Sequence, residues 1–310
     1  MSNHSIHHVT AVTARVGENL TFYTQTLGLR LVKKSVNQDD VSAYHLFYAD
    51  KVGSPGTDMT FFDWPLIGSH VPGAADISLT SFRVPGSSLD WWEARLEEAA
   101  TGPLREEDEF GADRILFTDP EGQRLELVDD TGLPGGGVVW DLTVPEDKAI
   151  RGILGVDVVS ARPEMTRGVV TQLLGYRPVG ESGNAYETRD ANSYGRIQIH
   201  EPDGKKIARL GSGGTHHVAV RVSDDAELLA MQKEIEAVGI QTSGLVDRFY
   251  FHSLYFRDPG GILFELATDG PGFAADESAE TLGVRLALPP FLEDQRETIE
   301  ANLKPLPVFA

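Results

Sequence analysis

The sequence predicts an α+β fold of four βαβββ modules forming two open barrels, and three observations lead there. Four segments repeat the same order of β-like and helical pattern. Two of them end on near-copies of one hairpin, and two open on a pair of adjacent histidines.

The modules begin with the strand patterns His8–Ala14, Ile77–Val84, Ile153–Val159 and His217–Val222. Amphipathic helical patterns follow, roughly Glu18–Leu27, Ser88–Ala99, Pro163–Leu174 and Asp224–Val238. Short strand candidates then alternate with turn signals; in the first module they are Arg30–Asn37, Tyr44–Tyr48 and Asp58–Asp63. Modules 2 and 4 close on Thr118–Leu127 and Arg257–Leu266. In both, Asp-Pro followed by Gly makes a tight turn, and a glutamate comes seven residues after the aspartate, so Glu126 and Glu265 are equivalent positions.

A Gly-rich linker, Thr131–Gly137, divides the chain. Residues 1–137 hold modules 1 and 2, at about 5–70 and 74–131; residues 138–310 hold modules 3 and 4, at about 150–210 and 214–270, plus a C-terminal tail. That tail carries Leu288–Glu293 and a short helix near Asp294–Asn302, which packs back on the body. The linker glycines lack the strand-to-helix setting of a phosphate loop, so they carry no nucleotide signal.

Composition removes several functions. The formal charge is −20, with 8 lysines among 27 basic residues, which repels a phosphate backbone and excludes nucleic acid as a partner. Such acidity reads as a solvated surface; a salt-adapted host gives the same signature. No apolar run approaches the roughly 18 residues of a membrane span, and no basic segment opens the chain, so the expectation is no membrane partner and a cytoplasmic location. Without cysteine there are no disulfides or thiolate ligands, and any metal must rest on His, Asp, Glu or Tyr.

The repeats then select the ligands. His7-His8 and His216-His217 open modules 1 and 4, whereas the corresponding openings carry Asp76 and Gly155. One histidine at a strand end is a structural residue more often than a ligand; two matching pairs at matching positions reverse that. With Glu265 they give His8, His217 and Glu265, two imidazoles and a carboxylate, the facial triad of non-haem Fe(II) oxygenases. Mn(II) suits the same donors. Period-two alternation puts Leu263, Glu265 and Ala267 on one strand face, His8 with Thr10, and His217 with Ala219. The triad closes only if module 1 lies beside module 4, so modules 1 and 4 build the metal-bearing barrel and modules 2 and 3 pair with each other. Glu126, in a module without histidine, reads as a surface or structural residue.

Alternation points His7 and His216 to the face opposite the ligands, where they serve as structural histidines unless a bulge returns them to handle protons beside the metal. On the strand pattern Arg248–Tyr255, Phe251, Ser253 and Tyr255 share one face and His252 takes the other. Tyr255 is a proton donor or acceptor for a substrate, and Arg248 a partner for an anion, unless both belong to the core. His45 reads as a packed strand residue, and His4, His70 and His200 show no partner pattern. The cluster Phe61–Trp64 is core or pocket wall.

On these residues the sequence resembles the vicinal oxygen chelate (glyoxalase/bleomycin resistance) superfamily, and its fine pattern resembles the hydroquinone class of ring-cleaving, extradiol-type dioxygenases. The matching stretches are His7–Thr10, Tyr44–Asp50, Pro55–Phe62, His216–Ala219, Asp247–Gly261 and Leu288–Glu293. The resemblance implies Fe(II) on His8, His217 and Glu265, with His7, Thr10, His216, Arg248 and Tyr255 at pocket positions. It implies O2 as co-substrate and a small aromatic diol, a hydroquinone or catechol, as the ring to be opened. Catechol enzymes of the superfamily take their first histidine from the third module, where Gly155 stands, so the hydroquinone branch is favoured. A glyoxalase-like isomerase and a drug- or aromatic-binding protein remain as readings of the same scaffold, and an edge-to-edge homo-oligomer is compatible with it. The helical His-Glu-x-x-His of zinc hydrolases is absent.

Overall fold

Strands with one buried polar face and one buried apolar face organise the protein. Along the first strand, Val9 and Ala11 enter the main apolar core while His8 and Thr10 point the other way. The computed structural model describes residues 4–308 apart from 39, 141 and 205. Module 1 comprises β1 (Ile6–Thr13), α1 (Val16–Thr21), β2 (Arg30–Asn37), β3 (Asp40–Ala49) and β4 (Asp58–Asp63). Module 2 comprises β5 (Asp76–Val84), α2 (Leu89–Glu98), β6 (Leu104–Glu107), β7 (Asp113–Thr118) and β8 (Arg124–Asp129). Module 3 comprises β9 (Gly152–Val159), α3 (Pro163–Gly168), β10 (Arg177–Val179), β11 (Ala185–Arg189) and β12 (Tyr194–His200). Module 4 comprises β13 (Gly214–Val222), α4 (Asp225–Ala237), β14 (Val246–Asp247), β15 (Phe251–Arg257) and β16 (Leu263–Pro271), and the tail ends in α5 (Arg296–Asn302).

The strands form two eight-stranded sheets, ordered β14-β15-β16-β13-β1-β4-β3-β2 and β10-β11-β12-β9-β5-β8-β7-β6. Each is an open barrel, one from modules 4 and 1, the other from modules 3 and 2. Within a module the first strand lies parallel to the last, while the first strands of partner modules, β1 with β13 and β5 with β9, pair antiparallel. This is the pairing that the distribution of histidines required.

The predicted helices lie where the periodicity put them, with one local addition. In modules 1 and 3 the helix continues as one wider π turn, Phe22–Thr26 and Val169–Leu173, before Gly28 and Gly175 reverse the chain at φ 73°. Among the described residues no helix is long and apolar enough to cross a membrane.

The Asp-Pro turns form as expected and also tie neighbouring modules together. Asp258 Oδ1 accepts the Ile262 N–H, while its Oδ2 accepts from Thr166 of module 3. Asp119 Oδ1 accepts from the Glu121 and Gln123 N–H groups, while Tyr23 of module 1 donates to Oδ2 at 3.4 Å. Burial outweighs those bonds and raises the Asp119 carboxyl from 3.8 to about 6. A folded-state value above the unfolded one means that this stabilisation is complete below about pH 3.8 and lost as pH rises through about 6. Asp119→Asn keeps the turn acceptor without the ionisation, so the variant should equal the parent in acid and exceed it above pH 6 by up to about 3 kcal/mol. Urea melts of both at pH 4 and pH 7.5 check this, and an equal difference at the two pH values would refute it.

The tail seals the outer edge of the first barrel. Lys33, on β2 and fully buried, meets Asp276 at 2.8 Å and Glu277 at 2.5 Å, and its ammonium lies 4.7 Å over the Tyr250 ring. Arg30 donates to the carbonyls of Ala279 and Glu280, and the Ala287 N–H donates to the Lys34 carbonyl. The outer edge of β2, which among the described strands pairs only with β3, is thereby covered.

Candidate metal centre

The centre forms where β1 and β13 cross the middle of the first barrel. Their pairing sets Thr10 against His217 and His8 against Ala219. Glu265 reaches the same place from β16, where it lies beside Ala219 and opposite Tyr255. One ligand atom from each of His8, His217 and Glu265 lies within 4.8 Å of the others, and all three residues are buried. Glu265 Oε2 stands 3.1 Å from His8 Nε2 and 2.9 Å from His217 Nε2, yet accepts no hydrogen bond of acceptable geometry from either.

That arrangement fits a cation. Metal–ligand bonds of about 2.1 Å set at right angles separate their donor atoms by about 3.0 Å. Ser253 Oγ donates to Glu265 Oε1 at 2.5 Å, which leaves Oε2 as the inward-facing oxygen. Burial pushes the Glu265 carboxyl up, but His8 and His217 hold it well below the usual range. For His8, burial presses the imidazole down and Glu265 more than reverses this; for His217 burial prevails and the value falls.

His7 and His216 do not sit where strict alternation puts them. The β1–β13 ladder slips between Ile6 and His8 and again between Thr10 and Ala11, where the pairing passes over His216. Each bulge turns its histidine back toward its neighbour. His7 Nδ1 then lies 2.9 Å from His8 Nδ1, and His216 Nδ1 lies 2.7 Å from His217 Nδ1. In each pair one nitrogen must donate and the other accept. Burial first, and then the adjacent His8 or His217, lowers His7 and His216 to about 3, so both are neutral. A ligand histidine that donates Nδ1–H to such an acceptor presents its Nε2 lone pair inward.

Register corrects one expectation and narrows another. The counterpart of His217 in module 2 is not Asp76, because Ser81 pairs with Gly155 and with Glu126 as Ala219 pairs with His8 and Glu265. Two residues before Ser81 stands Leu79, and Asp76 instead binds His70 at 3.0 Å. Gly155 is the counterpart of His8, as expected. Glu126 is structural but not at the surface: it is 1% exposed, and Ser81 and Arg114 donate to it, the latter at 3.0 Å. Arg114 stands in the register position of Ser253 and brings its own positive charge to the carboxylate.

Arg248 lies in a turn between β14 and β15 rather than on a continuous strand. Phe249 has φ 74°, a left-handed conformation that a bulky residue adopts at a cost of roughly 1–2 kcal/mol. Its N–H bonds to Asp247 Oδ1, and the turn brings Arg248 Nε to 3.2 Å from the Tyr255 hydroxyl. Burial first, and then Glu265, raises the Tyr255 phenol far above its ordinary value, so it keeps its proton. As expected, His252 points away, bonded to Asp225 at 2.6 Å.

A pocket with about 500 Å³ of empty space, part of it open to solvent, holds His8 and His217 together with Thr10, Arg248, Tyr255 and a wall of Phe47, Phe62 and Phe251. Gln38 Nε2 donates to the Arg248 carbonyl at 3.1 Å, joining modules 1 and 4 there. The aromatic cluster divides by alternation: Phe61 packs in the core and Phe62 faces the pocket. His45, expected as a packed strand residue, also lines this pocket, and its Nε2 is 3.0 Å from Thr60 Oγ1. His4 and His200, like His70, do have carboxylate partners, Glu227 and Asp157. Asp58, beside His8 in register, was missed altogether; it is 1% exposed, and burial raises it to about 8 against the opposing effect of His8.

Residues 5–127 and 151–266 match the family described as the Glyoxalase/Bleomycin resistance protein/Dioxygenase superfamily. The chain is 44% identical over 315 residues to MhqA of Bacillus subtilis (strain 168), provisionally named a ring-cleaving dioxygenase, with 99% of this chain and 100% of that protein covered. It is 32% identical over 304 residues to the chlorohydroquinone/hydroquinone 1,2-dioxygenase of Sphingobium indicum, covering 95% and 94%. A crystal structure of a provisionally named dioxygenase from Bacillus subtilis aligns with TM-score 0.91 and 37% identity over 99% of this chain and 98% of that one. Glyoxalase I from Zea mays aligns with TM-score 0.63 and 12% identity over 86% and 93%, a likeness of fold.

Proposed function

The chain belongs to the glyoxalase/bleomycin resistance protein/dioxygenase superfamily, and from that membership we propose that it is an Fe(II)-dependent dioxygenase that opens a hydroquinone- or catechol-type ring with O2. The observation that carries this reading is a buried His-His-Glu triad open to a pocket walled by aromatic rings. An Fe(II) ion held by His8, His217 and Glu265 would couple an electron-rich diol to O2, and Mn(II) suits the same donors.

The remaining chemistry belongs to side chains of this protein. His7 and His216 fix the tautomer and tilt of the two ligand imidazoles. Ser253 holds one carboxylate oxygen so that the other faces inward. Phe47, Phe62 and Phe251 exclude water and offer ring faces to an aromatic substrate. Tyr255, still protonated, donates a hydrogen bond to negative charge forming on the opened ring, and Arg248 adds a fixed positive charge beside it.

The isomerase reading is less well supported, because the fourth corner of the barrel is not a carboxylate. Thr60 lies beside Thr10 as Glu265 lies beside Ala219, so Thr60 takes the place symmetric to Glu265. Oxygen uptake by anaerobically iron-loaded protein, measured with a panel of hydroquinones and catechols, tests the proposal. Uptake stoichiometric with a para- or ortho-diol is expected. No uptake from any diphenol by fully loaded protein would return the isomerase or binding reading.

A further inference from the structure

The same symmetry that places Thr60 opposite Glu265 also places His45 opposite Ser253. Phe47 pairs with Thr60 as Tyr255 pairs with Glu265, and two residues earlier stand His45 and Ser253. On the module 4 side a hydroxyl steadies a carboxylate. On the module 1 side an imidazole meets a hydroxyl, and that hydroxyl continues the chain: Thr60 Oγ1 is 3.0 Å from His45 Nε2 and 2.8 Å from Thr10 Oγ1. Thr10 and Thr60 are fully buried, whereas His45 is partly exposed. Both ends of the chain, Thr10 and His45, line the pocket that holds His8 and His217.

A hydroxyl accepts one proton while giving up another, so three groups in a row at these distances pass a proton without moving a heavy atom. A diol that ionises on binding gives up a proton, and most of the pocket cannot take it. Tyr255 retains its own, Arg248 has no acceptor, and Ser35, Asn37 and Gln38 are not basic. Apart from the two ligands, His45 is the pocket histidine among the described residues. Phe47 and Phe62 hold its ring at centroid distances of 4.0 and 4.4 Å. Burial, followed by the charges of His8, His217 and Arg248, holds its pKa well below the ordinary imidazole value, so it rests neutral with the Nε2 lone pair toward Thr60 and carries a proton only in transit.

We propose that Thr10, Thr60 and His45 form a proton relay that carries a proton of the substrate hydroxyl from the His8 side of the pocket to its outer wall. The proposal rests on the diol reading above. The substrate O–H breaks and its proton passes to Thr10 Oγ1. The Thr10 proton moves to Thr60 Oγ1, and the Thr60 proton moves to His45 Nε2. The substrate becomes a phenolate, both threonines end as neutral hydroxyls, and the imidazolium returns its proton to solvent through the pocket mouth.

The test is anaerobic stopped-flow mixing of the iron-loaded protein with 4-nitrocatechol, whose absorption changes on ionisation. Thr60→Val, of nearly the same shape, should slow ionisation at least tenfold with iron content unchanged, and Thr60→Ser should restore it. His45→Phe should slow it likewise. With hydroquinone, kcat should fall in parallel while KM changes less than about threefold, a split that general loosening of the pocket would not give. Ionisation by Thr60→Val at the parental rate, with parental protein active on diphenols, overturns the relay alone. A parental protein that loads iron but ionises no diphenol removes the diol reading and the relay together.

Discussion

Glu265→Gln should leave a folded protein that no longer retains iron loaded into it, with kcat/KM lowered on the order of 10³-fold or more. The basis is the charge at the centre. The carboxylate is fully buried, its inward oxygen faces two imidazole nitrogens at 2.9 and 3.1 Å, and it is the anionic member of the triad. A glutamine of the same length places a neutral oxygen or an NH2 donor there, and the donor opposes a cation. Loss of partners that merely orient ligands costs 10–100-fold in affinity or activity, so loss of a charged ligand should exceed that. Metal content after dialysis, measured beside turnover, checks the result, and stoichiometric metal in the Gln variant would refute the assignment. Glu126→Gln is the matched control, since Arg114 already supplies the positive charge at that carboxylate, and its metal content should not change.

The largest effect on stability is expected at Lys33. Lys33→Ala should destabilise the fold by about 3–5 kcal/mol, the range for removing one partner of a buried ion pair. Lys33 is fully buried and the Glu277 side chain is 2% exposed, so solvent cannot replace the missing ammonium. Glu277 keeps Arg285 at 3.2 Å and Asp276 keeps the Tyr250 hydroxyl, so adding Asp276→Asn and Glu277→Gln removes two carboxylates left with only part of their compensation and should recover much of the loss. Denaturant midpoints of the single and triple variants provide the measurement, and a single variant within about 1 kcal/mol of the parent would refute it. The effect should extend to the pocket, because Asp276 also accepts from the hydroxyl of Tyr250, a pocket-lining residue.

Much of the architecture was legible because the chain repeats itself. A histidine pair at two of four module openings, and a glutamate at a fixed distance after Asp-Pro, are sequence-local signals. They predicted both the triad and the pairing of β1 with β13. Strict alternation misplaced His7 and His216 because a bulge inserts a residue without leaving a compositional mark. Asp76 was misaligned with His217 for a related reason, since β5 and β13 begin at different distances from the ligand row. His45 packs on its strand between Phe47 and Phe62 as read, but its bond to Thr60 was not legible, because only the register reveals that Thr60 is the counterpart of Glu265. The partners of His4, His70 and His200 likewise come from contacts that no repeat announces.

The sheet order has a consequence for biosynthesis. Thr10 pairs with His217, so the first strand of the first barrel leaves the ribosome about 200 residues before its neighbour. At 5–20 residues per second that interval is on the order of 10–40 s. Modules 2 and 3 are complete within it and can close their own barrel, while module 1 waits with one edge of β1 unpaired. The last module therefore completes the first barrel, the candidate metal centre and the cover over β2 at nearly the same moment. Nascent chains that stop short of β16 would lack Glu265, and so could not trap metal in a half-built site.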